Sequence, residues 1–198
     1  MTDRTLEQIA GLAISLAVDA GNAMEAAFSS ARSGDRDGSL SMAKEAAGKA
    51  MLAKKVVAPA VNNQTSAGFD LAKAAVGHAE DARLFAMAAM DVARGSARNA
   101  GNRQGGEPVK KSAESMAFLM AGASALLDIK RGGAAESTIR KIAMASERTG
   151  QAAEEAGKVG GAGNLHAEDA AAAKETMTLI ARRAVAAFKD ARRSPVSG

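Results

Sequence analysis

The chain has no cysteine, no tryptophan and no tyrosine, and its 198 residues include only three prolines, five phenylalanines and two histidines. Without cysteine there is no disulfide scaffold, no thiolate zinc site and no cysteine nucleophile. Aromatic and β-branched residues, which strands favour, are scarce. Large apolar residues are few as well: Leu, Ile, Val and Phe together account for 33 of 198 residues. That share lies below the roughly 20% that signals disorder when net charge is also high. The net charge is only +4, so the second condition fails. No stretch approaches the ~18 consecutive apolar residues that read as a membrane span. The opening MTDRTLEQIAG places charges where a secretory signal needs an apolar run. A cytoplasmic location is the resulting expectation, with secretion that uses no cleaved signal left open.

What the chain has is alanine, 50 residues of it. Alanine is the best helix former, so an all-α fold is expected. Apolar residues recur at spacings of three and four in about six segments. The first covers residues 4–33, with Leu6, Ile9, Leu12, Leu16, Ala20, Met24 and Phe28 as its stripe, and stops at the SGDRDG break. The second runs from Ser39, read as its N-cap, to about Pro59; the third covers about 68–98 with Leu71, Phe85 and Val92. After NAGNRQGGEP at 99–108, helices are expected at about 110–130 and 134–157. Another follows the GKVGGAG break to about Arg193, with Met177, Ile180, Ala184 and Phe188 as its stripe. This predicts a first three-helix unit at 1–99, a linker at 100–109 and a second unit at 110–198, forming up-and-down bundles. Alanine-faced helices pack closely around a thin core, which makes a homo-oligomer the expected state.

The two units share a repeat. Both histidines open the same pentapeptide, HAEDA, at His78–Ala82 and His166–Ala170, and eleven residues beyond each lies an Ala-Arg pair, Ala93-Arg94 and Ala181-Arg182. The first helices correspond more loosely, DAGNAMEAAF at Asp19–Phe28 against MAGASALLDI at Met120–Ile129.

Residues i and i+3 share a helix face, so His78 stands beside Asp81, and His166 beside Asp169. A carboxylate next to an imidazole fixes its tautomer and raises its basicity, as a phosphoryl acceptor or a metal ligand requires. The same pair inside a bundle also serves simply to satisfy a buried histidine. Glu80 and Glu168 point elsewhere and read as solvated charges. A transition-metal site is less supported, because carboxylate-bridged bundles use a Glu-x-x-His spacing with further glutamates that do not appear at matching positions.

These residues carry a resemblance. Ala20-Gly21-Asn22-Ala23, the Gly34-Asp35 break, an alanine-rich second helix and His78-Ala79-Glu80-Asp81 occur in the order found in lactose/cellobiose-type enzyme IIA of the bacterial sugar phosphotransferase system. The chain resembles that family over about 5–98 and more loosely over 113–193. Glu80 stands where the family has glutamine, and Ala53-Lys54 where its second helix has Ala-His. The resemblance implies a three-helix, trimer-forming fold in which His78 accepts a phosphoryl group and Asp81 binds a divalent ion such as Mg2+ near the trimer axis. His166 and Asp169 would repeat those roles, and phosphocarrier proteins would be the partners.

Two other classes stay open. One is a non-catalytic assembly or interaction protein, a coat, scaffold or surface-binding bundle, whose alanine-rich helices and ten methionines pack against copies of the chain or an apolar surface. Granule-coating phasins are similar in composition. The other is contact with a polyanion or an acidic membrane surface. Residues 1–99 balance 11 basic against 11 acidic side chains, whereas residues 100–198 carry 15 against 11. The sharpest basic cluster is Arg182, Arg183, Lys189, Arg192 and Arg193, which also complements the dipole at a helix C-terminus. Gly-rich phosphate loops and a serine nucleophile elbow are both lacking.

Overall fold

A computed structural model describes residues 5–61, 68–99, 106–133 and 135–193, with side chains through Lys189. The described residues form six helices: α1 (Leu6–Ser33), α2 (Arg36–Val61), α3 (Phe69–Asn99), α4 (Glu107–Lys130), α5 (Glu136–Gly160) and α6 (Leu165–Arg193). The fold is all-α. Helix α4 opens three residues before the expected start of the second unit, and residues 100–105 of the expected linker lie outside the described residues.

Local chemistry sets the helix ends. Thr5 and Gln8 form a reciprocal capping box at the start of α1. Gly34, with φ +81°, closes α1 in the left-handed conformation that glycine adopts without strain. Ser39 does not cap α2: it is fully buried inside the helix, and Asp35 Oδ1 accepts the Gly38 amide at 2.9 Å instead. Asn164 Oδ1 accepts the amides of His166 (3.0 Å) and Ala167 (3.2 Å), capping α6.

Helices α1, α2 and α3 pack on one another, as do α4, α5 and α6. The two three-helix groups meet through α3 against α6 and α4, with α1 touching α4. Among the described residues, 26 of the 41 buried hydrophobics are alanine, so the helices approach closely around small side chains. The larger ones gather where the halves meet: Leu84, Phe85, Leu119, Leu126, Leu127, Met177 and Ile180 are all within one continuous core that draws on all six helices. The halves therefore share a core. Gly21 and Gly122, the glycines of the aligned Ala-Gly pairs, both sit at close approaches; a Cβ on Gly21 would meet the Leu127 side chain, and one on Gly122 would meet Met177.

The tight packing reverses part of the expected stripes. Spacing places Leu12 and Leu71 on the core stripe, but they are 39% and 38% exposed, while Ala13, Ala17, Ala72 and Ala75 fill the interior. Helix α4 is long and apolar enough by composition to cross a bilayer, yet 56% of its apolar window is buried within the bundle.

Candidate functional site

The two HAED motifs sit at opposite ends of the α3–α6 contact. Asp81 meets Arg183, Asp91 meets Thr176 and Arg98 meets Asp169. The partner's number falls as the first rises, so α3 and α6 run antiparallel. Each motif's aspartate is thereby held by an arginine from the third helix of the other half.

Around Asp81 the arrangement is dense in charge. The carboxylate is fully buried and contacts Lys130 Nζ from the end of α4. Arg183 approaches with Nε 2.8 Å from Oδ1 and Nη2 donating to Oδ2 at 3.1 Å. The Lys130 and Arg183 side chains are only 4% and 12% exposed, which places an amine and a guanidinium beside one carboxylate in the interior. Burial works to raise the pKa of Asp81, but His78, Lys130 and Arg183 outweigh it and hold the carboxyl below its ordinary value.

His78 lies beside this group, mostly buried. Its Nδ1 is 3.2 Å from Lys130 Nζ and 3.9 Å from Asp81 Oδ2. Nδ1 thus stands between the Lys130 ammonium and the Asp81 carboxylate, able to accept from the first with the ring proton on Nε2 or to donate toward the second with it on Nδ1. Asp81 stands beside the imidazole, as the i,i+3 spacing implies, and also binds Lys130 and Arg183.

The second motif differs. Asp169 is 2% exposed, and its Oδ1 accepts from Arg98 Nη1 at 2.8 Å. Arg98 also donates to the Leu165 carbonyl at 3.1 Å. Burial raises the Asp169 pKa more than Arg98, Arg94 and His166 lower it. Midway between the motifs, Thr176 donates to Asp91 Oδ2 at 2.6 Å, and burial raises the Asp91 carboxyl too.

Among the described residues no three His, Asp or Glu side chains converge as metal ligands. Asp81 and Asp169 face ammonium and guanidinium groups, a donor set that does not fit a divalent ion. Glu80 forms a surface pair with Arg83 at 2.6 Å. The expected basic cluster divides: Arg182 and Lys189 are exposed, Arg183 turns inward to Asp81, and the side chains of Arg192 and Arg193 lie outside the described residues. No motif in the sequence marks Lys130, Arg98, Asp91 or Thr176. An acid in the apolar stripe of α3 was the one available sign, at Asp91.

Outside this buried network, the surface has its own pattern. Nine of the 13 exposed large hydrophobics among the described residues lie on α1, α2 and α3. An apolar groove of about 540 Å³ runs between α2 and α3, lined by Met51, Lys54, Val57, Val61, Val76 and Arg83 among others. Comparison with protein-family models, with curated proteins and with solved structures finds no match for this chain.

Proposed function

We propose that this protein is a non-catalytic helical-bundle interaction protein, acting by presenting helix faces to copies of itself or to an apolar surface. One observation carries the reading: both HAED aspartates are buried and each is bound by an arginine from the opposite half. The repeated motif is then a clamp that locks two three-helix halves into one rigid body. The uneven distribution of exposed apolar side chains, most of them on the first half, supplies the faces for interaction.

The test is sedimentation over a range of protein concentrations, on wild type and on the His78→Ala, His166→Ala double variant. Self-association that rises with concentration and survives both substitutions is the expected result. A concentration-independent monomer would count against the assembly arm of the proposal.

A second reading, phosphoryl carriage at His78, draws on a different observation: Lys130 and Arg183 bring an excess of positive charge to a partly exposed imidazole. It stands second because the Asp81 carboxylate beside His78 is already engaged by Lys130 and Arg183, and the imidazole is mostly buried. Intact mass after incubation with phosphoenolpyruvate, enzyme I and the histidine phosphocarrier protein separates the two. A phosphate gained by wild type and absent from the double variant would put this reading first; no gain, with donors active on a known acceptor, retires it.

A further inference from the structure

The two parts of helix α5 are held differently. Its first part enters the common core: Ile142 and Ala145 are buried there, with Ile139 packed against it. Over residues 150–160 no large apolar side chain is buried, and the only one in the stretch, Val159, is 51% exposed. The buried residues there are Ala152, Ala153 and Ala156, and the last two form a small separate cluster with Ala170 of α6. Each alanine brings a single methyl group to the contact, so docking of this part gains little from apolar burial.

The backbone of the stretch is weak as well. Gly150 and Gly157 lie inside the helix, and each glycine there costs helix stability about five-fold relative to alanine. Packing requires neither of them. A Cβ on Gly157 would meet nothing and one on Gly150 would reach only Lys174 Cε at 3.9 Å, whereas at Gly21, Gly95 and Gly122 a neighbouring side chain fills the space. Two ion pairs hold the stretch from outside. Glu155 meets Lys111 of α4 at 2.8 Å, and Glu154 meets Lys174 of α6 at 3.0 Å. These glutamates are 52% and 62% exposed, so both pairs are weak and open to screening by salt. Underneath, Ser115 of α4 is fully buried and donates to the Ala170 carbonyl of α6 at 3.3 Å. Helix α6 has its own anchor at this end, the Asp169 bond to Arg98 of α3.

We propose that residues 150–160 of α5 form a strap that swings away as a unit about Gly150, uncovering the cleft between α4 and α6 at Ser115 and Ala170 while the rest of the bundle stays folded. The Glu154 and Glu155 ion pairs are its latch and set how often it opens, which makes the opening respond to ionic strength. Local opening of this kind belongs to segments with few buried apolar contacts. The device does not depend on what the exposed faces of the first half bind.

Amide hydrogen exchange on the full chain, resolved by NMR, tests it. Amides beyond Gly150 should share one protection factor, well below that of the first part of α5 and nearly independent of added denaturant. Gly150→Ala with Gly157→Ala should slow their exchange roughly 25-fold and leave the other helices unchanged. Glu154→Gln with Glu155→Gln should speed it roughly four-fold, about two-fold for each exposed pair. High salt should speed wild type in the same way and leave the glutamine variant unmoved. Because the chain has no cysteine, Ser115→Cys adds a second readout: labelling by a thiol reagent should slow with the alanine variant and quicken with the glutamine variant. Protection that declines gradually toward Gly160 would be fraying of a helix end. Protection equal to that of the first part of α5 would mean that nothing opens, and slowing of every helix by the alanine variant would mean that opening is global unfolding. Each of these results would overturn the proposal.

Discussion

Asp81 and Arg183 are 102 residues apart in sequence, yet the Arg183 Nε lies 2.8 Å from the Asp81 carboxylate in the interior between α3 and α6. With Lys130 they form the tightest polar connection between the two halves. Removing the carboxylate leaves two cations facing each other away from water. Asp81→Ala should therefore cost about 3–5 kcal/mol, the range for breaking a buried ion pair from one side. Urea denaturation of the variant checks this, and a double-variant cycle with Arg183→Ala should return a coupling of about 0.5–3 kcal/mol.

The acid response should separate the two HAED aspartates. Asp81 has its pKa lowered in the folded state, so between that value and the ordinary carboxylate value of about 3.9 the unfolded chain binds more protons. Its contribution is present above the ordinary value and lost as pH falls through the folded one. Asp169 has its pKa raised, so its contribution is greatest at low pH and is lost as pH rises through the folded value. Asp81→Asn should flatten the acid limb of a stability-versus-pH curve, whereas Asp169→Asn, which weakens the bond to Arg98, should lower stability near neutral pH without flattening that limb. Thermal melts across the acid range would show the contrast; identical curves for the two variants would contradict it.

Thr176 and Asp91 offer a test of the contact's pseudo-symmetry. As His78 corresponds to His166, Asp91 corresponds to Leu179 and Thr176 to Ala88. Thr176→Val should cost about 1–3 kcal/mol, because it leaves a buried carboxylate oxygen without its donor. Adding Asp91→Leu should recover much of that loss by making both positions apolar like their counterparts. Chemical denaturation of the single and double variants reads the difference directly.

Gly122 is packed too closely for a side chain to enter without cost. An added Cβ would run into Met177 and lie 3.2 Å from Ala145 Cβ. Gly122→Ala is expected to destabilise by about 1–3 kcal/mol, the range for overpacking a core. At Gly11 a Cβ meets nothing, so Gly11→Ala should stabilise by up to about 1 kcal/mol through helix propensity. Midpoints of thermal unfolding for the two variants should move in opposite directions.

The sequence by itself determined that the protein is helical, how many helices it forms and roughly where they break. Alanine content, three-and-four periodicity and glycine-rich breaks act within a few residues, and local preferences sum along each segment. It also marked Asp81 and Asp169 through the repeated pentapeptide. Ser39 was misread as a cap because a serine before an apolar run looks alike whether it precedes the helix or lies inside it; Asp35, four residues earlier, holds the first turn. Leu12 and Leu71 were misplaced because periodicity identifies a stripe without saying which small neighbours the closest helix approach will select. Only the tertiary structure decided what the motifs do. Lys130, Arg183 and Arg98 reach the aspartates from elements distant in the chain, and burial, which turns those pairings into a clamp, is a property of how six helices pack and not of any one of them.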